Sequence, residues 1–449
     1  MSTPRALVIG AGPAGLAATA TLARHGTDVV LVDRHDRAGG QIARQHRGHP
    51  TAGPWAGLIG AADHPRTTML AGTSIVALRP SDGGFQAVVQ TAGRLSTVHA
   101  GAILLATGAR EVVTPFPGWT LPGVVTAGAV QALLKREGSL PWQRIGLAGS
   151  GPLLLAVAQA MRAAGHPPAF TLERQSLHRL ARHGAVTATA HPGKAALFAR
   201  LAGGARVRFG WQVTEAVGTD AVTAVVIART RRDGTAGDHR TIAVDALGAS
   251  SNLVPDVALA LQLGCRTVPG ADGTSSRVVV DRDQQTSVPG VFAAGELTGV
   301  GGADKSVAEG RLAGASAAAL LHGRPPGRID TLRTEVRRWR SFADALERLH
   351  PLDHDWSARV PDDTVVCRCE EVSLRQVRRA IDDGAHTARS VKGLTRTGMG
   401  MCQGATCSPL VRSVLQAAGH TDSGDLESRS PAVPVTLAEL SRLAAGGSA

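Results

Sequence analysis

Apolar positions along the chain fall into short, unbroken runs. Residues 5–9 (RALVI) give way to a Gly-rich turn at 10–15 (GAGPAG), then to small and apolar residues as far as about 25. A second run at 28–32 (DVVLV) stops at Asp33. Short runs bounded by glycine predict strands buried on both faces, and the longer stretch between them predicts a helix, so the chain opens with a β-α-β unit. A further run at 102–105 (AILL) leads into 106–108 (ATG). Near 145 the pattern restarts, with a strand around 144–148, a turn at 149–152 (GSGP), an apolar helix over 153–164 and a strand at 168–172 ending at Glu173. A third signal, 288–296 (VPGVFAAGE), sets a short strand before another Gly turn, with a helix from about 303.

This order predicts an α/β fold in which a second Rossmann-type domain is inserted into a first. Single cores stop growing at about 250–300 residues, so a chain of 449 demands more than one domain. The expected divisions are 1–125 and 241–325 for the two parts of the first domain, 126–240 for the insert, and 326–361 for a linker with a helix near 330–349. A small, mainly helical module follows at 362–420, then a tail at 421–449 that is polar at 423–425 and 428–431 and helical near 435–445.

Gly10, Gly12 and Gly15 form G-x-G-x-x-G directly after a strand and at the start of a helix. The first glycine permits the tight turn, the second lets a pyrophosphate approach the backbone, and the third lets the helix pack on the strand. With Pro13 and Ala14, the helix start offers free N–H groups and a positive dipole end to the phosphates. Asp33, 23 residues after Gly10, can accept hydrogen bonds from ribose hydroxyls, with Arg34 beside it. Gly40 and Gln41 (in GGQ, 39–41), then Ala106, Thr107 and Gly108, stand where the chain would pass a flavin, which favours FAD over NAD here. At 288–296, Gly295 and Glu296 take the place of a ribitol-binding acid, and the helix after 302 would aim its positive end at the flavin ring. The second turn has Gly149 and Gly151, but Leu154 stands at the third position, with Glu173 as the candidate ribose ligand. Leu154 is expected to push the helix outward or alter the turn. Two readings stand: a site for NAD(P) or another adenine nucleotide, and a retained fold whose site has decayed.

The chain has five cysteines, of which four lie between 367 and 407. The spacing is Cys367-x-Cys369, then 32 residues, then Cys402-x4-Cys407. Four thiolates hold a [2Fe–2S] cluster or a structural zinc. The C-x-C pair is tight for a zinc knuckle, and Gly398, Gly400 and Gly404 would bring backbone N–H groups near the sulfurs, both of which favour the cluster. Ser373 reads as a helix N-cap with Gly384 as the stop, and Pro409 suits the first turn of a closing helix. Cys265 stands alone and reads as a small buried hydrophobe. No cysteine precedes it, so the paired redox cysteines of the flavoprotein disulfide reductases are missing.

Composition adds less. Hydrophobic residues make up 43% of the chain, which suits a globular protein. The net charge is +12, with only four lysines among 48 basic residues, and the basic side chains are scattered without an aromatic-rich motif. That reads as an arginine bias rather than a nucleic-acid surface. The uncharged stretch 6–23 contains three glycines and Pro13 of the nucleotide motif, so no membrane span is expected and the protein reads as cytoplasmic.

Taken together, GAGPAG, GGQ, FPGWTLPGVVTAG (116–128), GSGPLLL, FAAGELTGVGGAD and CRCEE…GMGMCQGATC resemble one family over about residues 4–420. It is the FAD/NAD(P)-binding α-type subunit of opine oxidases and of hydroxyproline or proline dehydrogenases, with the B-type subunit of hydrogen cyanide synthase. The C-terminal module is similar to bacterioferritin-associated-ferredoxin-like [2Fe–2S] domains. Glu296, in place of the usual Asp, and Leu154 are the departures from the general flavoprotein pattern. The resemblance implies an FAD-dependent oxidoreductase within a heteromeric complex. A β-type subunit with its own FAD would oxidise the C–N bond of an amino acid or opine, with or without a small ferredoxin-like subunit, and electrons would pass to this chain. No Ser–His–Asp set, His pair or carboxylate pair lies near a motif, which fits a subunit without substrate chemistry of its own. The alternatives are a stand-alone NAD(P)H-dependent reductase that passes electrons through its cluster to a partner, and a non-enzymatic nucleotide- and zinc-binding sensor.

Overall fold

The structure is a computed structural model that describes residues 5–44, 55–182, 191–231, 235–270, 273–324, 329–420 and 429–444. The first unit runs β1 (Arg5–Ile9), α1 (Pro13–Arg24), β2 (Asp28–Val32), α2 (Ala56–Ile59), β3 (Thr67–Leu70), an antiparallel sheet of β4 (Thr73–Ser81), β5 (Gly84–Thr91) and β6 (Arg94–Ala100), then β7 (Ala102–Leu105). After β8 (Ala109–Val112) comes the second unit: β9 (Val124–Thr126), α3 (Ala127–Glu137), β10 (Ile145–Gly149), α4 (Pro152–Ala163), β11 (Phe170–Glu173), α5 (Pro192–Ala205) and β12 (Arg208–Phe209). It continues with an antiparallel sheet of β13 (Trp211–Gly218), β14 (Val222–Thr230) and β15 (Ala236–Ala243), then β16 (Ala246–Ser250). The chain returns through β17 (Asn252–Pro255), α6 (Ala258–Gln262), the hairpin β18 (Thr267–Pro269) and β19 (Ser276–Val278), and β20 (Val291–Ala293) to α7 (Ala303–His322).

The two main sheets share one plan. The first is ordered β20-β7-β1-β2-β3 and the second β9-β16-β10-β11-β12, so β10, β11, β12 and β16 repeat β1, β2, β3 and β7. In each, the three-stranded antiparallel sheet is the crossover from the third strand to the fourth. Neighbours among the main strands are parallel, and their side chains are buried on both faces, which is why the sequence shows unbroken apolar runs there.

The expected edges of the insert need correction. β9 lies at 124–126 and β16 at 246–250, and Leu247, Gly248 and Ala249 pair with Val124, Val125 and Thr126, so both strands belong to the second sheet. The insert therefore reaches beyond both 126 and 240. Its bounds are set by the antiparallel ribbon of β8 and β17, where the chain leaves and re-enters the first unit. β9 is three residues long and β16 reads ALGAS, too short and too poor in β-branched residues to mark a strand by pattern.

α1 and α7 follow parallel strands of one sheet and pack in the same direction. Two glycines of α7 set their separation: a methyl on Gly310 would stand 2.2 Å from the Ala14 carbonyl oxygen, and one on Gly314 2.7 Å from that of Ala18. Both helix starts thus open on the same edge of the sheet, where α/β folds bind ligands.

α8 (Ile329–Leu349) leads to the cysteine module: β21 (Val365–Cys367), β22 (Val372–Ser373), α9 (Leu374–Asp382), α10 (Ala388–Thr395) and α11 (Ser408–Ala417). Ser373 caps α9 through a reciprocal pair with Gln376, Gly384 follows at φ +98°, and Pro409 lies in the first turn of α11. The module shares a core with the ribbon, Val366, Val377, Val411 and Leu415 packing with Val112 and Val254. α12 (Leu437–Ala444) is the expected tail helix; the loop expected at 423–425 lies outside the described residues.

Candidate functional site

The first Gly turn is built by close approaches that only hydrogen permits. Gly10 (φ +104°) donates its N–H to the Val32 carbonyl at 2.8 Å, and a Cβ there would lie 2.3 Å from the Ala106 carbonyl oxygen. A Cβ on Gly15 would meet the Gly10 carbonyl oxygen at 1.8 Å. Gly12 differs. A Cβ on it would meet nothing nearer than the Gly40 Cα at 4.0 Å, an ordinary contact, beside the start of α1 at Pro13 and Ala14. Asp33 is buried and holds the turn in shape, accepting the Ala11 N–H at 2.6 Å and the His35 N–H at 2.8 Å.

The 39–41 segment docks on this turn. Gly39 donates its N–H to the Ala11 carbonyl at 2.8 Å, and Gly40 passes so near Gly12 that a Cβ on it would come within 2.8 Å of the Gly12 Cα. Gln41 is exposed and accepts from Arg44 at 2.8 Å, while the carbonyls of Gln41 and Ile42 accept from Lys135 Nζ at 3.1 and 2.9 Å. Burial, with Arg44 nearby, pulls the Lys135 amine down to about 8. Arg34 is exposed beside the turn. Ala106 donates its N–H to the Ile9 carbonyl at 2.8 Å. Thr107 donates to the Asp256 carbonyl at 2.7 Å, and the Gly108 carbonyl accepts the Asp256 N–H at 3.0 Å. The sequence-predicted residues of the first site therefore converge on the C-terminal edge of the first sheet.

Glu296 sits at the mouth of α7. Its carboxylate accepts the Gly302 N–H at 2.7 Å and the Gly301 N–H at 3.2 Å, and burial pushes its pKa up. When ionised, it offsets part of the positive helix end expected to face a flavin ring.

The pattern missed what lies beneath. Lys305 (1% exposed) donates to the Gly295 carbonyl, the Thr298 hydroxyl and the Glu309 carboxylate, each at 2.9 Å. Glu309 is fully buried and also accepts the Gly295 N–H at 2.9 Å, the Thr298 hydroxyl at 2.6 Å and Arg340 Nε at 3.2 Å. Burial pushes Glu309 upward, but Lys305 and Arg340 bring it below its usual value on balance. This network fixes the 295–298 turn that carries Glu296. Its only signal in the sequence is a Lys and a Glu four apart in a helix otherwise rich in Ala, Gly and Ser.

At the second turn, Glu173 is buried and accepts the Gly151 N–H at 2.8 Å and the Gln175 N–H at 2.9 Å, an echo of Asp33. Gly149 is held so tightly that a Cβ would lie 1.6 Å from the Ser250 carbonyl oxygen. Leu154 does not push the helix away. α4 starts one residue after Gly151, as α1 does after Gly12, and Leu154 is buried among Val130, Leu147 and Val157. Its N–H bonds the Gly151 carbonyl, a tighter first turn than at α1, where Leu16 bonds Gly12. Arg174 pairs with Asp353 at 2.7 Å.

In the cysteine module, Cys367 and Cys407 are buried, Cys402 is partly exposed and Cys369 is exposed. The Cys407 thiol bonds the Cys367 sulfur, which, with the N–H groups of Gly398, Glu370 and Cys369, outweighs burial and pulls Cys367 down to about 5, while Cys407 is pushed up by the same bond. Cys369 is raised by burial and by its neighbour Cys402. A Cβ on Gly400 would lie 2.3 Å from that of Cys369, so the glycine brings the backbone against this cysteine. The donor set is thus four sulfurs with backbone N–H groups aimed at them, which fits an iron–sulfur cluster. Among the described residues no group of His, Cys, Asp and Glu is drawn together for a single metal ion. Cys265 is buried, its thiol 3.4 Å from the Thr286 hydroxyl, and has no part in the module. The module is tied to both units: Trp119 Nε1 donates to the Val365 carbonyl at 2.8 Å, and Arg412 donates to the Thr274 carbonyl at 3.3 Å. No helix among the described residues is long and apolar enough to cross a membrane.

Residues 4–319 match the pyridine nucleotide-disulphide oxidoreductase family and residues 365–417 the BFD-like [2Fe-2S] binding domain. The A-type subunit of opine oxidase from Agrobacterium tumefaciens (strain Ach5) is 33% identical, over 97% of this chain and 91% of its own length. The HcnB subunit of hydrogen cyanide synthase from Pseudomonas aeruginosa is 31% identical, over 98% of both chains. Among solved structures, L-proline dehydrogenase from P. horikoshii shares the fold, with a TM-score of 0.71 and 19% identity over 98% of this chain and 80% of that one. The protein belongs to the pyridine nucleotide-disulphide oxidoreductase family, as an FAD-dependent oxidoreductase with a C-terminal [2Fe-2S] binding domain, of the type found as subunits of heteromeric dehydrogenases.

Proposed function

We propose that this chain is the electron-transfer subunit of a heteromeric amino-acid or opine dehydrogenase, for example one acting on hydroxyproline or proline. Its partner would be an FAD-containing β-type subunit that oxidises the substrate C–N bond in the reducing cytoplasm. The observation that carries this reading is the placement of the cysteine module. Two of its sulfurs, Cys367 and Cys407, are buried, while Cys369 and Cys402 reach the surface, as a one-electron relay to another protein requires. The relatives named above are themselves subunits.

The residues divide into two groups in this reading. Gly10, Gly12, Gly15 and the start of α1 would bind the FAD pyrophosphate. Asp33 would orient its ribose, and Gly40, Gln41, Ala106–Gly108, Gly295 and Glu296 would line the path to the ring. Cys367, Cys369, Cys402 and Cys407 would hold the cluster. Bound FAD supplies two-electron chemistry and the cluster one-electron transfer. Nothing in these groups has to abstract a substrate proton.

The test is an anaerobic spectrum of purified protein with iron and sulfide quantified, followed by addition of proline, hydroxyproline or an opine with and without a co-expressed β-type subunit. About two irons and two sulfides per chain, with flavin bleached only when the partner is present, is the expected result. Zinc without iron, or bleaching by NAD(P)H alone, would overturn it, the latter in favour of a stand-alone reductase.

A further inference from the structure

The two Gly turns differ in what lies beside them. A Cβ on Gly12 would lie 4.0 Å from the backbone Cα of Gly40, and one on the corresponding Gly151 the same 4.0 Å from Cγ of His350, so the second turn meets a side-chain ring where the first meets only backbone. The imidazole comes from the segment just after α8. Its Nδ1 lies 3.1 Å from the hydroxyl of Ser150, the residue between the two glycines, and 3.9 Å from the Glu173 carboxylate. Asn252 Nδ2 donates to the His350 carbonyl at 2.7 Å. Burial lowers the His350 pKa and so favours the neutral ring, which can accept from the Ser150 hydroxyl.

Two further features take up groups that a dinucleotide would need. Glu173 bonds the N–H of Gly151 itself, whereas Asp33 bonds that of Ala11, one position earlier in its turn. Asp353 pairs with both Arg174 and Arg359, two arginines that line the site, so each already meets a carboxylate. A cavity of about 320 Å³ lined by Thr114, Ser150, Ser251 and Trp356 remains beside this segment.

We infer that residues 350–359 are a built-in occupant of the second nucleotide site, and that His350 is the residue that denies its pyrophosphate position to NADH or NADPH. The inserted domain keeps the dinucleotide fold but serves as the seat for the segment leading into the cysteine module. This inference concerns a site other than the flavin and cluster sites, and it holds or fails whichever substrate the partner oxidises.

The experiment is calorimetric titration of the full-length protein, flavin and cluster in place, with NADH to about 1 mM. The wild type is expected to give no saturable heat. His350→Gly should gain binding by about tenfold to a hundredfold, the range expected from restoring an anion to a helix N-terminus with its charge-assisted hydrogen bonds. Should His350→Gly lose flavin or iron, Asp353→Ala, which releases both arginines without touching either cofactor module, is expected to gain binding in the same sense. Saturable binding of NADH by the wild type at micromolar concentrations overturns the inference. So does an intact variant that binds no better than wild type. Flavin reduction by an amino acid through the partner would be unaffected by either outcome, so the two proposals fail separately.

Discussion

Replacing Lys305 with Met removes one charge from the buried network and leaves the volume nearly filled. Glu309, with no exposed surface, would then keep Arg340 as its one cation, and the Gly295 carbonyl and Thr298 hydroxyl would each lose a donor. Breaking a buried ion pair from one side costs about 3–5 kcal/mol, because the charge left behind has no water to replace its partner. Typical domain stability is about 5–15 kcal/mol, so the loss is large enough to measure and small enough to leave folded protein. Adding Glu309→Gln to Lys305→Met removes the stranded charge while keeping an acceptor for the Gly295 N–H. The double variant should therefore be more stable than the Lys305→Met single, with a coupling of about 2 kcal/mol or more in a double-mutant cycle. Urea denaturation followed by far-UV circular dichroism and flavin fluorescence reads both quantities. Acid adds a second readout. Glu309 lies below its usual pKa, so its contribution is complete above about pH 4.3, the unfolded value, and is lost as pH falls through the lower folded value. Lys305→Met should move the onset of acid unfolding upward. A single variant within about 0.5 kcal/mol of wild type, or a double equal to the sum of the singles, refutes the reasoning.

Gly12→Val should fold but purify without FAD. A Cβ at Gly12 meets nothing nearer than 4.0 Å and Gly12 already has φ −80°, so the backbone accepts the substitution and the branched side chain would stand in the pyrophosphate position; a normal flavin content in the variant would remove Gly12 from the site. Cys402→Ser should lose iron and keep FAD, since the cysteine module and the first Gly turn are separate; unchanged iron means Cys402 is not a ligand. In protein stripped of flavin, Lys135 should be the lysine most reactive toward an amine-acylating reagent at pH 8. Its neutral fraction there is about a hundredfold above that of an ordinary lysine. Peptide mapping that shows Lys392 labelled first would count against the burial of the Lys135 amine.

Both nucleotide units were legible because their chemistry is local. G-x-G, an apolar strand before it and an acid at the end of the next strand all lie within one β-α-β unit, and burial on both faces writes parallel strands as unbroken apolar runs. The capping of α9 by Ser373 and the start of α11 near Pro409 were legible for the same reason. What stayed hidden depends on distant partners. β9 and β16 pair across the whole length of the insert, Thr126 with Ala249 and Val124 with Leu247, and neither shows a strand pattern of its own. The role of Leu154 depends on what surrounds it. A missing glycine predicted a displaced helix or an altered turn; the helix keeps its place, its first turn tightens, and the neighbouring apolar side chains accept the leucine. His350 gave no signal at all, because its partners Ser150 and Asn252 are 200 and 98 positions away and nothing near it in sequence marks a ligand.

The repetition of the two units makes their difference informative. The same sheet order, the same crossover and an acid at the end of the second strand in each give two turns with one shared geometry. Had no side chain stood against the second turn, fold alone would predict two bound nucleotides and an electron supply from the second to the first. Setting His350 against Ser150 and Gly151, from the chain that leads into the cysteine module, changes what the second unit is for. Trp119 and Val365 join the insert to the module, Arg412 joins the module to the first unit, and Val112 and Val254 of the connecting ribbon sit in the module's core. A domain bound at so many points is held in one orientation relative to the flavin domain. A rigid seat is what a cluster needs if its distance to the flavin is to stay short during repeated one-electron transfers. An open dinucleotide site between moving domains is what a pyridine-nucleotide reductase needs. The contacts made by residues 350–359 favour the first of these uses, and they favour it independently of any substrate.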